Sequence, residues 1–175
     1  MRSLAILDTT LREGEQFIKT FFTLEQRLQI ASLLDALGVT FIEVPSPVSS
    51  PEMHDTIQAL CGLGLNAHIV PHVRCAEADV EAALDTPVYG LNLFFGTSNE
   101  LRSYSHGRQI DQIRAEAVPL IRHIRSRKRF VRFSAEDAFR SDLVDLLTVF
   151  DAVVEAGVER IGLPDTVGIA TPPPP

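Results

Sequence analysis

The chain has 175 residues, a formal net charge of −7 and a hydrophobic content of 45%. This length and composition suit one domain with a single sizeable core. The acidic balance argues against a nucleic-acid partner or an anionic membrane surface, and no apolar stretch approaches the ~20 residues that span a bilayer.

Two features bear on the compartment. Residues 1–3 run directly into the first predicted strand, without the apolar core of a signal peptide. Cys61 and Cys75 are the only cysteines, and they form no C-x-x-C pair. We therefore expect a cytoplasmic protein with reduced thiols.

Predicted strands and helices alternate along the whole chain. Short apolar runs predict strands at 4–7, 40–45, 66–73, 89–97, 129–136 and 160–166. Helical spacing with terminal signals predicts helices at 24–37, 51–63, 77–84, 108–125 and 141–156. The strand starts recur at roughly the ~30-residue step of an eight-unit barrel. The pattern predicts a parallel α/β fold, an incomplete (β/α) TIM barrel of about six strands.

An open doubly wound sheet is the alternative fold. A nucleotide-binding version of it has little support, because the chain contains neither G-x-G-x-x-G nor a P-loop sequence. The chain stops in four consecutive prolines, Pro172 to Pro175, which cannot form a normal helix interior.

The first strand ends in a dense group of ionisable residues, the string 8–16 (DTTLREGEQ). An arginine at a strand end can stabilise an oxyanion, and a neighbouring carboxylate can hold a hard divalent cation. Arg12 and Glu13 are therefore candidates for these two roles. The alternative is that they form a surface ion pair that caps a turn.

Every other predicted strand also carries polar side chains toward its C-terminal end. In a parallel barrel, catalytic groups gather at this edge of the sheet. The alternative is that polar residues inside the barrel satisfy one another in layers. The candidates on strands two to six are Glu43, His72, Asn92, Arg132, Ser134 and Thr166.

The string 8–16 closely resembles the signature of the DRE-TIM metallolyase superfamily, which contains homocitrate synthases and 2-isopropylmalate synthases. Glu13 followed by Gln16 and Phe17 is more similar to the homocitrate synthases. Further segments that resemble this group in the same order are 41–44, 95–98, 106–108, 132–137 and 163–168. The resemblance implies a pyruvate carboxyltransferase/HMG-CoA-lyase-like catalytic domain over residues 1–175.

The resemblance also implies roles for single residues. Arg12 would be the catalytic arginine and Glu13 a ligand of a divalent metal, which could be Mg, Mn or Zn. The 2-oxo acid would be held by His72, Arg132, Ser134 and Thr166, and Gln16 and Glu43 would line the pocket. Asn92 stands where homocitrate synthases usually have an aspartate, which leaves the side-chain specificity of the substrate open.

One part of the family pattern is absent. Family members carry a His-x-His pair on strand seven that completes the metal site, and the 175 residues contain none. We therefore expect strands seven and eight and any C-terminal domain to be missing, and the chain alone to be inactive. It could be a truncated gene product, an incomplete sequence or a half that needs a partner.

The resemblance implies an acyltransferase that condenses acetyl-CoA with a 2-oxo acid in lysine biosynthesis by the aminoadipate route, and a homodimer at full length. His72, Arg132 and Ser134 favour the dicarboxylate 2-oxoglutarate over 2-oxoisovalerate, because an apolar substrate would leave them unpaired. If His72 and Arg132 only bind neighbouring carboxylates, they say nothing about the substrate. The alternative functions are a 2-isopropylmalate or citramalate synthase, or a catalytically silent binding or assembly module.

Overall fold

Strands and helices alternate along the chain in the computed structural model, which describes residues 4–172. The strands are β1 (Leu7–Asp8), β2 (Phe41–Val44), β3 (His68–Arg74), β4 (Gly90–Gly96), β5 (Phe130–Glu136) and β6 (Arg160–Gly162). The helices are α1 (Thr10–Glu13), α2 (Leu24–Leu37), α3 (Pro51–Cys61), α4 (Glu77–Leu84), α5 (Asn99–Leu101), α6 (Ile110–Ser126) and α7 (Leu143–Glu155). The six predicted strands and five predicted helices all occur.

The segment after β1 differs from the prediction. Residues 4–7 were expected to form the first strand and residues 8–16 a loop, but β1 is Leu7–Asp8 and α1 follows after one residue. Oδ1 of Asp8 accepts the N–H of Thr10 at 2.8 Å, and the carbonyl of Thr9 accepts the N–H of Glu13 at 2.8 Å. These bonds close a helical turn that brings the ionisable residues onto a fixed backbone.

The last strand is shorter than predicted. β6 ends at Gly162, whereas the apolar pattern favoured a strand to residue 166. Pro164 has no N–H for a strand ladder, which accounts for the early end. The expectations for residues 1–3 and for the prolines at 173–175 lie outside the described residues.

The strands lie in the sheet in the order in which they occur in the sequence. The strand order is β1-β2-β3-β4-β5-β6, and the pairs β1–β2, β2–β3 and β5–β6 are parallel. By its internal contacts the chain divides into two compact units. The first unit comprises Met1–Val73 and Ala78–Leu91, and the second comprises Arg74–Glu77 and Asn92–Pro175.

Each unit has its own buried apolar residues. In the first unit the largest are Leu11, Ile42, Ile57, Leu60 and Leu91, which come from α1, β2, α3 and β4. In the second unit they are Leu93, Ile113, Ile121, Ile124 and Phe133, which come from β4, α6 and β5. Burial of such side chains contributes about 1.5–3 kcal/mol each.

Capping residues fix where the long helices begin. Thr23 and Gln26 form a capping box at the start of α2, in which each side chain accepts the other's backbone N–H. Ser50 caps α3 ahead of Pro51, and Asp142 caps α7. Among the described residues, no helix is both long and apolar enough to cross a membrane.

Candidate functional site

Arg12 and Glu43 form the centre of a charged cluster in the first unit. Glu43 lies one residue before the end of β2, and its side chain is 2% exposed. Its Oε1 accepts a hydrogen bond from Nε of Arg12 at 2.5 Å. The short turn of α1 therefore carries a guanidinium directly to a buried carboxylate at a strand end.

Glu13 is the second carboxylate bound by Arg12. Nη1 of Arg12 donates to Oε1 of Glu13, whose side chain is 52% exposed. The Arg12–Glu13 pair of the alternative interpretation is thus present, but it is only part of the arrangement. Arg12 joins an exposed carboxylate to a buried one, which a simple surface pair would not do.

His72 approaches the same buried carboxylate from β3. Its Nδ1 lies 3.7 Å from Oε2 of Glu43, and its side chain is 22% exposed. The register of β2 and β3 pairs Glu43 with Val70, so His72 stands two residues further along the neighbouring strand. The alternative interpretation was that His72 only binds a neighbouring carboxylate, and Glu43 is such a carboxylate.

The surroundings of Glu43 stabilise its ionised form. Burial would raise the pKa of Glu43, but the hydrogen bond and positive charge of His72, followed by those of Arg12, outweigh burial. The pKa of Glu43 falls from 4.5 to about 2. Glu43 therefore remains an anion at neutral pH and holds Arg12 in one orientation.

One end of the Arg12 guanidinium has no acceptor. Nε and Nη1 are bound to Glu43 and Glu13, whereas Nη2 has no hydrogen-bond partner within residues 4–172. Because the guanidinium is planar, the two bound nitrogens fix the direction of the third. A donor fixed in this way can stabilise negative charge that develops on a substrate oxygen.

Gln16 does not join this cluster. It ends a 3-10 turn, Gly14–Gln16, and its side chain is exposed. The preceding Glu15 points inward, where its Oε1 accepts from Nη2 and Nε of Arg27 at 2.8 and 3.0 Å and from the N–H of Phe22 at 3.1 Å. The ion pair between Glu15 and Arg27 was not predicted. The sequence feature that could have indicated it is Arg27, a charged residue within the apolar pattern of α2.

The second unit contains a neutral polar pair on neighbouring strands. Asn92 of β4 and Ser134 of β5 are 2% and 5% exposed, and Oγ of Ser134 donates to Oδ1 of Asn92 at 3.1 Å. An asparagine keeps the acceptor oxygen of an aspartate but carries no charge. The bond between them is therefore a neutral one.

Gly162 makes room for the predicted residues of β5. Arg132 and Ser134 are two residues apart on one strand, so their side chains share a face. Gly162 is paired with Ser134 across the sheet. A Cβ at Gly162 would lie 2.7 Å from Nη2 of Arg132 and closer still to Oγ of Ser134. A side chain at position 162 would therefore displace Arg132 and Ser134, a requirement that was not predicted.

Thr166 follows β6 and is tied to β5 through the backbone. Its Oγ1 accepts the N–H of Asp137 at 2.9 Å. Asp137 is buried and ion-paired with Arg140. Neither Asp137 nor Arg140 was predicted as a site residue; the only signal was the position of Asp137 after Glu136 at the end of β5.

The predicted site residues other than Gln16 thus fall into two groups, one in each unit. The charged cluster of the first unit consists of Arg12, Glu13, Glu43 and His72. The neutral cluster of the second unit is named for its Asn92–Ser134 pair; it also includes the cation Arg132, Thr166 and Gly162, which was not predicted.

A complete metal site is not formed by the residues that the structure describes. Within residues 4–172, no three His, Cys, Asp or Glu side chains come together in a way that could hold an ion. Glu13 offers an exposed carboxylate of the kind that hard cations prefer, but it is ion-paired with Arg12. These residues alone do not fit a divalent metal.

A sequence profile described as HMGL-like matches residues 3–174. The chain belongs to the HMGL-like family. This membership confirms the resemblance to DRE-TIM metallolyases that the string 8–16 indicated.

The similar curated proteins include homocitrate synthases. The mitochondrial homocitrate synthase of Schizosaccharomyces pombe is 46% identical over 172 residues, which cover 98% of this chain and 41% of that protein. For the cytosolic isozyme of Saccharomyces cerevisiae the identity is 45%, with 98% and 40% covered. A probable 2-isopropylmalate synthase of Methanopyrus kandleri is 39% identical, with 96% and 34% covered. The chain thus spans about two-fifths of the two homocitrate synthases, at 41% and 40%.

Solved structures of HMG-CoA lyases share the fold. The enzyme from Pseudomonas aeruginosa has a TM-score of 0.80 at 20% identity, and the match covers 95% of this chain and 59% of that one. For the enzyme from Brucella melitensis the TM-score is 0.78 at 17% identity, with 98% and 64% covered. The prediction of an incomplete parallel (β/α) barrel is confirmed.

Proposed function

We propose that these residues form the first part of an acyltransferase of the homocitrate synthase type, which condenses acetyl-CoA with a 2-oxo acid. The observation that carries this proposal is the fixed guanidinium of Arg12, held by buried Glu43 with one donor left toward a ligand. The homocitrate synthase relatives, at 45–46% identity, support the reaction type. The somewhat lower identity of 39% to a probable 2-isopropylmalate synthase makes that activity the second candidate.

In the proposed reaction, the methyl carbon of acetyl-CoA bonds to the oxo carbon of the acceptor. The methyl proton leaves to a base, and the electron pair of the C=O bond moves onto oxygen. Nη2 of Arg12 would donate to that oxygen, and Glu43 would keep the donor in place without reorganisation. Hydrolysis of the thioester then releases CoA and makes the step irreversible.

We propose Glu13 as a carboxylate ligand of a divalent metal, which could be Mg, Mn or Zn. When bound, such an ion polarises a carbonyl oxygen. Within residues 4–172 no complete ligand set is assembled, so Glu13 would need further ligands. The chain alone should therefore have almost no turnover, and 2-oxo-acid-dependent CoA release by the 175-residue chain would contradict this.

We propose 2-oxoglutarate as the preferred acceptor. Arg132, Ser134 and Thr166 offer a cation and two hydroxyls, which suit carboxylates. An apolar branched acid would gain no charge-assisted hydrogen bond from these groups. We also propose His72, from the first unit, as a substrate contact.

The test is CoA release by the full-length enzyme, meaning these residues together with the remaining strands of the barrel. We expect the largest kcat/KM with 2-oxoglutarate and smaller values with 2-oxoisovalerate and pyruvate. Absence of CoA release with all three acids would overturn the proposal. A preference for 2-oxoisovalerate would favour the 2-isopropylmalate synthase alternative.

The silent binding or assembly module remains a second candidate for the 175-residue chain. Its support is the outer face of α7, where Leu143, Val144 and Leu147 are 66%, 71% and 51% exposed. Light scattering with a hydrophobic dye tests it. A soluble monomer that binds no dye would count against this candidate.

We propose that the full-length enzyme is a cytoplasmic homodimer that binds neither nucleic acid nor membrane. The yeast relatives carry both mitochondrial and cytosolic names, so the compartment needs its own measurement. Cell fractionation and analytical ultracentrifugation would test these two points. A mitochondrial fraction or a monomer would contradict them.

A further inference from the structure

Asp137 combines an unusual backbone with a buried charge. It follows β5 with φ 62° and ψ 37°, in the left-handed region that non-glycine residues seldom adopt. Its side chain is 2% exposed. A strained backbone and a buried carboxylate both cost free energy, so the surroundings must hold this residue in place.

Arg140 makes most of the hydrogen bonds that keep the side chain of Asp137 in place. Its Nε donates to Oδ1 and Oδ2 of Asp137, both at 2.9 Å, and its Nη2 donates to Oδ2 at 2.6 Å. The hydrogen bond from Arg140 is the largest influence on the carboxyl and lowers the pKa of Asp137; burial opposes it, and Ser98 adds a second hydrogen bond. Oγ of Ser141 donates to the carbonyl of Asp137 at 3.0 Å.

The left-handed turn directs the N–H of Asp137 to Thr166. Oγ1 of Thr166 accepts that N–H at 2.9 Å. The following loop is held separately, because the carboxylate of Asp165 accepts the N–H groups of Ile169 and Ala170 at 3.0 and 2.9 Å. Both the backbone and the hydroxyl of Thr166 are therefore fixed.

A hydroxyl that accepts a hydrogen bond from a backbone N–H must turn its own proton elsewhere. The side chain of Thr166 is exposed, so that proton faces outward from the turn. The best acceptor for it is an anionic oxygen, since charge-assisted hydrogen bonds are about twice as strong as neutral ones.

We propose that Asp137 is a positioning residue, which uses its clamp to Arg140 to set the Thr166 hydroxyl as a donor to a carboxylate of the 2-oxo acid. This rests on the proposed function, which assigns Thr166 to that substrate. Asp137 itself touches no substrate. Its effect must therefore pass through Thr166, which makes the proposal testable by coupling.

The experiment is a double-mutant cycle in the full-length enzyme. Thr166→Val removes the hydroxyl while keeping the shape, and Asp137→Ala removes the clamp and disfavours the left-handed turn. Each single variant should raise KM for the 2-oxo acid about tenfold, with KM for acetyl-CoA unchanged. In the Thr166→Val background, Asp137→Ala should raise KM less than about twofold further.

Three further variants complete the set. Arg140→Ala removes the clamp without changing residue 137. If Asp137→Ala does not fold, Arg140→Ala takes its place in the double-mutant cycle with Thr166→Val. Asp137→Asn should raise KM less than Asp137→Ala does, because asparagine tolerates the left-handed region and keeps one oxygen that can accept from Arg140. Arg114→Ala is the matched control: it breaks the exposed Arg114–Asp111 pair of the same i,i+3 spacing and should leave both KM values unchanged.

The outcomes separate this inference from the proposed function. An active wild type, an impaired Thr166→Val and fully multiplicative losses in the double variant would overturn the positioning role alone. A normal KM in Thr166→Val would overturn the assignment of Thr166 to the substrate and this inference with it. Absence of turnover with every 2-oxo acid would overturn both proposals.

Discussion

The charged cluster of the first unit and the neutral cluster of the second hold their key side chains by different means. Arg12 is fixed by ion pairs to Glu43 and Glu13, one of them with a carboxylate that is almost fully buried. Ser134 is fixed by a neutral hydrogen bond, and Thr166 is fixed by a backbone N–H. The first cluster is held by ion pairs, whereas Ser134 and Thr166 of the second are held by uncharged hydrogen bonds.

This difference suits different steps of the proposed reaction. A guanidinium held by a buried anion is suited to charge that develops in a transition state. Hydroxyls held by uncharged hydrogen bonds are suited to recognising charge that the substrate already carries. Variants of the charged cluster should therefore change kcat most, and variants of the neutral cluster should change KM most.

The largest expected effect is that of Arg12→Lys in the full-length enzyme. Lysine keeps the charge but loses the planar fork that binds Glu43 and presents Nη2 together. We expect kcat to fall about 100- to 1000-fold, while metal content stays normal. Steady-state kinetics with elemental analysis of the metal checks both parts; a variant that lost its metal would contradict the separate roles of Arg12 and Glu13.

The second-largest expected effect is that of Glu43→Gln, which should lower the free energy of unfolding. The folded pKa of Glu43, about 2, lies below its ordinary value of 4.5. The ionised carboxylate therefore stabilises the fold above pH 4.5, and this contribution is lost as the pH falls from 4.5 toward about 2. We expect a loss on the order of 3 kcal/mol near neutral pH.

Urea unfolding of the wild type and of Glu43→Gln between pH 2.5 and 7 measures this difference. The two free energies of unfolding should converge as the pH falls. A difference that stays constant over this range would show that the pKa of Glu43 is not lowered by folding.

Glu13→Gln should have a smaller, reversible effect. It removes an anionic ligand of the proposed metal but leaves Arg12 its bond to Glu43. We expect activity to fall about 10- to 100-fold at low metal concentration and to recover partly as metal is added. Titration of Mg, Mn and Zn during the CoA-release assay checks this, and Arg12→Lys, which should not recover, is the matched control.

Gly162→Ala should have the smallest effect and the most specific one. Its Cβ would lie 2.7 Å from Nη2 of Arg132, so the guanidinium must move. We expect KM for the 2-oxo acid to rise about tenfold, with kcat within about threefold of the wild type, which corresponds to a local strain of about 1–3 kcal/mol. Gly62→Ala, whose φ is −71° and whose Cβ would come no closer than 3.3 Å to another atom, controls for the cost of alanine alone.

The charged cluster could largely be predicted from the sequence. Arg12, Glu13, Glu43 and His72 all follow or end short apolar runs, and in a parallel sheet such positions share an edge. What could not be predicted is that Asp8 closes a helical turn around Arg12, because a single carboxylate after a strand fits a loop equally well.

Only part of the neutral cluster could be predicted from the sequence. Asn92, Arg132 and Ser134 stood out because they are polar residues inside apolar strands. Gly162 and Asp137 act through a missing side chain and a backbone N–H, and neither leaves a pattern of hydrophobicity or charge. The clamp between Asp137 and Arg140 also depends on a left-handed backbone that the residue types do not require.

The most direct test of the account compares Arg12→Lys and Gly162→Ala side by side in the full-length enzyme, with kcat and KM for 2-oxoglutarate measured under the same conditions. We predict that Arg12→Lys lowers kcat about 100-fold or more, and that Gly162→Ala raises KM about tenfold with kcat nearly unchanged. If Arg12→Lys changed only KM and Gly162→Ala lowered kcat, the division between a charged cluster that serves the chemistry and a neutral one that binds the acid would be wrong.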